Sequence, residues 1–319
     1  MDIGSGSIKI FTCNGNRALA ERIADNLGLK VGECVVTKFS DGEISVRIVD
    51  TVRGADVFIV QPTCFPVNDN LMELLITIDA AKRASAGRIN AVVPYYGYAR
   101  QDRKAKPREA ISAKLVADLI TSAGADRVIT MDLHSAQIQG FFNIPVDHLS
   151  GMHIIANYYL NKYENISEDF VAMSPDLGSV ARTRRFAELL NIPLAIIDKR
   201  RPKPNVSEIM NIIGEFKDKN VILFDDMIDT AGTITNAANA VKERGAKNVY
   251  ACCTHPVLSG AATERISSSA ISELVVLDTI PLSAERKIGK IRQLSTAKLF
   301  ADAVYRIHEG LPLSKIREM

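Results

Sequence analysis

The stretch Val221-Ile-Leu-Phe-Asp225-Asp226-Met-Ile-Asp229-Thr230-Ala-Gly232-Thr233 carries the most specific chemistry in this chain. Four apolar residues make a buried strand, and two carboxylates stand at its C-terminal end. The chain then passes through Thr230 and Gly232 and enters a helix near Thr233. Ligands of open α/β sheets bind at the C-terminal ends of strands. The N–H groups and hydroxyls of such a loop, with the helix N-terminus behind it, suit a phosphate dianion. Asp225 and Asp226 would repel that anion, so their place is with sugar hydroxyls or a magnesium ion. A capped turn with solvated carboxylates explains any one of these residues, but not the whole pattern.

Two basic runs and one histidine stand beside this motif. Arg100 to Arg108 holds five basic residues against Asp102 and directly follows a strand reading AVVPYYGYA. Guanidinium forks and ammonium groups at that edge would meet a polyphosphate. Residues 198–203, DKRRPK, put four basic groups on an expected loop after the strand PLAIID. His134 closes the strand VITMDL. Taken singly, a charge run is more often a solvated face, and a lone histidine is more often structural.

The elements that position these groups alternate along the chain. Short apolar runs begin at Ile8, Asp56, Ile89, Arg127, Asp169, Pro193, Asn220, Asn248 and Glu273. Amphipathic stretches separate them, at 70–84, 113–123, 180–190 and 233–244. Strands that are apolar throughout, alternating with helices, specify a parallel sheet covered on both faces. The fold class is therefore α/β. Gly124-Ala-Asp-Arg-Val leads to His134, and Gly245-Ala-Lys-Asn-Val leads to His255, with an offset of 121 residues in both places. This repeat points to two similar domains, 1–150 and 151–319, with the break near Ser150.

Composition sets the outer bounds. The 319 residues fit two domains, and 47% apolar with 24% charged residues is ordinary for a globular protein. A net charge of +2 gives no global field toward nucleic acid or a membrane surface. No apolar run is long enough to span a bilayer. The N-terminus shows no basic segment followed by an apolar one, so no secretory signal is expected and the location is expected to be cytoplasmic. The five cysteines (Cys13, Cys34, Cys64, Cys252 and Cys253) form no C-x-x-C pair and read as small buried residues in a reducing compartment.

Further segments occur in a fixed order: Phe39-Ser-Asp41-Gly-Glu43, then Tyr95 through Lys104, then Asp132-Leu-His134 with Gln137-Ile-Gln-Gly-Phe-Phe. Ser174-Pro-Asp176 and Lys199-Arg-Arg201 follow. Together with the Asp225–Thr233 loop, which resembles the ribose-phosphate loop of the type I phosphoribosyltransferase fold, they resemble the ribose-phosphate pyrophosphokinase family from Lys9 to His308. The resemblance implies two type I phosphoribosyltransferase-like domains, the first on the ATP side and the second on the ribose 5-phosphate side. It also implies transfer of the diphosphoryl group of ATP to the sugar 1-hydroxyl, giving phosphoribosyl diphosphate and AMP.

The same resemblance implies the site residues. Arg100, Gln101 and Asp102 would bind ATP, and Phe39, Asp41 and Glu43 would hold adenine from a neighbouring subunit. His134 and Asp176 would be magnesium ligands, with Mg2+ the cofactor. Lys199 and Arg201 would steady the departing AMP, and Asp225, Asp226, Asp229, Thr230, Gly232 and Thr233 would hold ribose 5-phosphate. A homo-oligomer, as a hexamer, is implied, with phosphate and ADP as effectors at a site including Thr51, Arg53 and Arg103. Two features depart from the family pattern. Leu177 and Ser179 change the Ser-Pro-Asp-Ala-Gly-Gly turn, and the C-terminus lacks the usual serine-rich ending. A catalytically silent relative of the family is the alternative, but Lys199, Arg201, His134 and Asp225 to Asp229 are all in place. An ordinary phosphoribosyltransferase would need only one such domain.

Overall fold

The computed structural model of the chain describes residues 6–200 and 209–318. They form two compact units. One runs to Ser150 and takes in Thr279–Pro281 and the stretch from Ser295; the other comprises Gly151–Asp278 and Leu282–Leu294.

The first unit contains β1 (Ile8–Thr12), α1 (Arg17–Asn26), β2 (Cys34–Lys38), β3 (Ile44–Ile48), β4 (Asp56–Val60) and α2 (Val67–Arg83). It continues with β5 (Arg88–Val93), α3 (Ser112–Ala123), β6 (Arg127–Met131) and β7 (Val146–Leu149). The second unit contains α4 (Met152–Lys162), α5 (Ile166–Asp169), β8 (Phe170–Ser174), α6 (Val180–Leu190), β9 (Leu194–Arg200) and β10 (Ile209–Ile213). There follow β11 (Asn220–Ile228), α7 (Gly232–Glu243), β12 (Asn248–Pro256), α8 (Ala262–Ser268), β13 (Ile271–Leu277) and β14 (Ile291–Leu294). The C-terminal helix α9 (Ala297–His308) packs against α1 in the first unit.

The two large sheets are parallel except for β10, for the reason the sequence gives: their central strands are buried on both faces. In β4 every residue is buried, with Val57 and Ile59 in a core shared with Leu74 and Ile78 of α2 and with Ala117 and Ile120 of α3. In the second unit Val221 and Leu223 of β11 meet Ile234, Ala238 and Val241 of α7. The repeat read from the sequence has a backbone cause. Gly124 and Gly245 end α3 and α7 with φ of 117° and 104°, a left-handed conformation that glycine adopts without Cβ strain. After each, the chain enters an interior strand of its sheet, β6 in one and β12 in the other.

Strand order separates the two sheets. The first runs β1-β4-β5-β6-β7, in chain order throughout. The second runs β10-β9-β8-β11-β12-β13-β14, so the chain leaves β8 in one direction and β11 in the other. A reversal of this kind opens a crevice beyond the C-terminal ends of the two central strands.

Two local differences from the sequence reading have clear causes. Residues 198–200 are strand, not loop, because β10 pairs antiparallel with β9 and matches Asp198 with Asn211 and Lys199 with Met210. In the antiparallel hairpin β2–β3 apolar residues alternate with polar ones along β3, β2 ends in Thr37 and Lys38, and only Cys34 is fully buried, so continuous apolar runs did not reveal it.

Candidate active site

The crevice between β8 and β11 brings together two loops far apart in sequence. The first joins β8 to α6. There Ser174 Oγ donates to the Asp176 carbonyl at 2.6 Å, and Ser179 N donates to Asp176 Oδ1 at 2.9 Å. The Asp176 carboxylate thus closes its own turn, and Leu177 at the tip is exposed. The second loop leaves β11 and enters α7 within three residues, Asp229 to Ala231. Ala231 has φ 62°, a left-handed conformation that a Cβ-bearing residue pays for with about 1–2 kcal/mol. Local strain of this size is held by surrounding contacts: Ser259 N donates to the Asp229 carbonyl at 3.0 Å, and Arg265 Nη1 to the Thr230 carbonyl at 2.7 Å.

The tight turn brings Gly232 and Thr233 to the first turn of α7, whose N–H groups have no helical acceptors. Thr230 and Thr233 are exposed there, and Asp229 is half-buried. A Cβ on Gly232 would find nothing nearer than Arg265 Nη1 at 3.8 Å and Thr230 Oγ1 at 4.0 Å. The protein itself leaves that backbone open to a ligand.

Behind the loop, Asp226 is 3% exposed and Asp225 half-buried. Arg182 Nη1 donates to Asp226 Oδ1 at 2.7 Å and to Asp225 Oδ1 at 3.2 Å. Ser179 Oγ donates to Asp225 Oδ1 at 2.8 Å. Burial and the neighbouring Asp226 charge push the Asp225 carboxyl up to about 7, against the pull of Ser179 and Arg182. Sequence reasoning singled out neither Arg182 nor Ser179 as a partner of these carboxylates. Arg182 stands near Arg184 and Arg185 in an amphipathic helix, where three arginines read as a solvated face.

In the first unit the corresponding connection is long. Between β5 and α3 lie residues 94–111, with Arg100, Gln101, Arg103, Lys104 and Arg108 exposed and Asp102 half-buried. Gln101 is fixed to the helix start: its carbonyl accepts from Ala113 N at 3.2 Å, and its side-chain oxygen accepts from Ser112 Oγ. Glu109 Oε2 accepts from Ala105 N and Lys106 N, both at 2.9 Å, which shapes the basic loop from within. His134 lies exposed beyond β6, whereas its repeat counterpart His255 is 2% exposed within β12. Phe39, Asp41 and Glu43 sit at the tip of the β2–β3 hairpin, all exposed, with Phe39 at 59%. Thr51 and Arg53 are exposed ahead of β4. Lys199 lies on β9; its side chain and the whole of Arg201 fall outside the described residues.

For a divalent cation, Asp176 supplies a hard oxygen ligand beside the crevice. Among the described residues no three acidic, histidine or cysteine side chains form a cage. A magnesium ion fits such a place with one or two protein groups and substrate phosphate oxygens completing its shell.

Comparison with known proteins agrees with this geometry. Residues 8–124 match the N-terminal domain of ribose phosphate pyrophosphokinase, and residues 198–317 match the phosphoribosyl synthetase-associated domain. The chain is 67% identical to a ribose-phosphate pyrophosphokinase of Clostridium perfringens, over 98% of each chain. It is 64% identical to one from Caldanaerobacter subterraneus, again over 98% of each. The crystal structure of phosphoribosylpyrophosphate synthetase from Mycobacterium smegmatis superposes with a TM-score of 0.90 at 42% identity, covering 95% of this chain and 99% of that one. No helix among the described residues is long and apolar enough to cross a membrane. A strand-order reversal that carries a short phosphate-type loop, and full-length identity to these enzymes, lead to one conclusion: the chain belongs to the ribose-phosphate pyrophosphokinase family and is an enzyme of that activity.

Proposed function

We propose that the two substrates divide between the two strand ends just described. The first unit presents ATP through Arg100, Gln101 and Asp102, and the second unit holds ribose 5-phosphate. The observation that carries this reading is the three-residue connection from β11 to α7, with an open glycine backbone at its helix start. The 5-phosphate takes the N–H groups and hydroxyls of Thr230, Gly232 and Thr233, while Asp225, Asp226 and Asp229 take the sugar hydroxyls.

The sugar 1-hydroxyl attacks the β-phosphorus of ATP in line, the bond from that phosphorus to the α,β-bridging oxygen breaks, and AMP departs. Negative charge grows on the bridging oxygen, and the cations Lys199 and Arg201 steady it. Bound magnesium, with His134 and Asp176 as its protein ligands, would neutralise phosphate charge. The exposed hairpin tip of Phe39, Asp41 and Glu43 grips adenine on a neighbouring subunit, which makes the enzyme a homo-oligomer, as a hexamer. Ile111, Leu115 and Leu119 support self-association, because all three are exposed and lie four residues apart at the start and along one face of α3. Thr51, Arg53 and Arg103 bind phosphate or ADP as effectors, with a response altered by Pro312 and Leu313 in the tail. The five cysteines are buried and none is in a disulfide, which supports a reducing, cytoplasmic setting.

The test is AMP formation from ATP on adding ribose 5-phosphate and magnesium. Equal yields of AMP and phosphoribosyl diphosphate are expected. Folded protein that forms no AMP above background would overturn the reading.

A further inference from the structure

Helix α6 begins in a way that does not serve the helix. Its N-cap is Ser179, a residue that ordinarily caps through its hydroxyl, yet no side-chain capping bond is made. The hydroxyl turns instead to Asp225 Oδ1. The third helical residue is Arg182, and the first turn holds no acidic residue. A cation there opposes the helix dipole. Local rules broken together mark places where function outweighs local stability.

Both side chains converge on one atom. Asp225 Oδ1 accepts from Ser179 Oγ at 2.8 Å, from Asp226 N at 2.9 Å and from Arg182 Nη1 at 3.2 Å. Asp225 Oδ2 accepts from none of the described residues. Three donors on one oxygen fix the rotation of the carboxylate and leave the other oxygen for a ligand. Arg182 also bonds Asp226, so a single guanidinium offsets the repulsion between neighbouring carboxylates.

We propose that Arg182 and Ser179 are positioning residues for the sugar, holding Asp225 so that its Oδ2 receives a ribose hydroxyl. The proposal rests on the assignment of Asp225 to the sugar phosphate. It also gives Ser179, which departs from the family's turn, a task that glycine could not perform.

Calorimetric titration of ribose 5-phosphate into the full-length enzyme, without ATP or metal, tests it. Arg182→Met should weaken binding by about 10- to 100-fold, the worth of a hydrogen bond to a charged group. Ser179→Ala should weaken it by about 3- to 10-fold, and the KM for ATP should stay within about twofold in both. Arg182→Lys, which keeps the charge but not the fork, should fall between wild type and Arg182→Met. Asp225→Asn is the control for the site. If it loses ribose 5-phosphate while Ser179→Ala and both Arg182 variants bind normally, the positioning proposal fails and the site stands. If Asp225→Asn also binds normally, the site assignment fails and the proposal falls with it. Equal losses for both substrates would make the role merely structural and overturn the proposal. Should Arg182→Met not fold, Arg182→Lys and Ser179→Ala decide: normal ribose 5-phosphate affinity in both overturns it.

Discussion

At the start of β4, Asp56 accepts from Arg88 Nε at 2.8 Å and from Asn90 Nδ2 at 2.8 Å, and His308 Nδ1 lies 2.9 Å from its second oxygen. At the end of β11, Asp225 has its three donors on one oxygen and shares Arg182 with a second carboxylate. The two aspartates shift in opposite directions. Burial works against the Asp56 charge, but the Arg88 and His308 hydrogen bonds outweigh it and hold the carboxyl below its ordinary range. Burial and Asp226 push Asp225 up to about 7. Asp56 ties β4 and β5 to the far end of the chain, and both of its oxygens are engaged. Asp225 is left with capacity to spare, at the edge of the sheet where ligands bind. A buried carboxylate with all its partners is a structural device; one with too few is a site.

The largest expected effect sharpens the functional side of that contrast. Lys199→Ala should lower turnover by about 100- to 1,000-fold, the usual cost of removing one charge-stabilising group, with the thermal midpoint unchanged. Steady-state kinetics beside a melting curve check both halves. Raised KM values at full turnover would make Lys199 a ground-state anchor instead. On the structural side, Asp56→Asn should cost about 3 kcal/mol of unfolding free energy by leaving Arg88 and His308 without their anion. Its KM for ribose 5-phosphate should not move. A variant of normal stability would break the contrast.

The pH dependence is smaller and has opposite signs at the two places. A raised carboxyl pKa means the folded state prefers the proton. The stability tied to Asp225 is therefore present below about pH 4, the ordinary aspartate range, and is lost as pH rises toward 7. The lowered Asp56 contributes above the ordinary range and loses its contribution as pH falls through its folded value. In the unliganded protein, the melting temperature of Asp225→Asn should gain on wild type between pH 4 and 7. A constant difference across that window would contradict the shift.

The functional side of the contrast was legible in the sequence because its key residues are local. Strand, loop and helix of the Asp225–Thr233 stretch follow one another within thirteen residues, and apolar run, carboxylates, glycine and threonine each announce their part. The structural side was not legible. Asp56 and His308 are 252 residues apart, and nothing in either neighbourhood asks for the other. Arg182 was hidden for a related reason: only the reversal of strand order sets the start of α6 beside the end of β11. The β2–β3 hairpin, which bears Phe39, Asp41 and Glu43 at its tip, lacks the continuous apolar signal of a buried strand.

The most direct test of the account is the affinity of Gly232→Ala for ribose 5-phosphate, measured by calorimetry with a melting curve on the same sample. The protein has room for the added methyl, whose nearest neighbours would be at 3.8 and 4.0 Å, and alanine suits a helix start. The fold should therefore be as stable as wild type or slightly more so. The phosphate, by contrast, must approach that backbone closely, and its affinity should fall by about tenfold or more. Unchanged affinity in a folded protein would contradict the placement of the sugar phosphate at the β11–α7 turn.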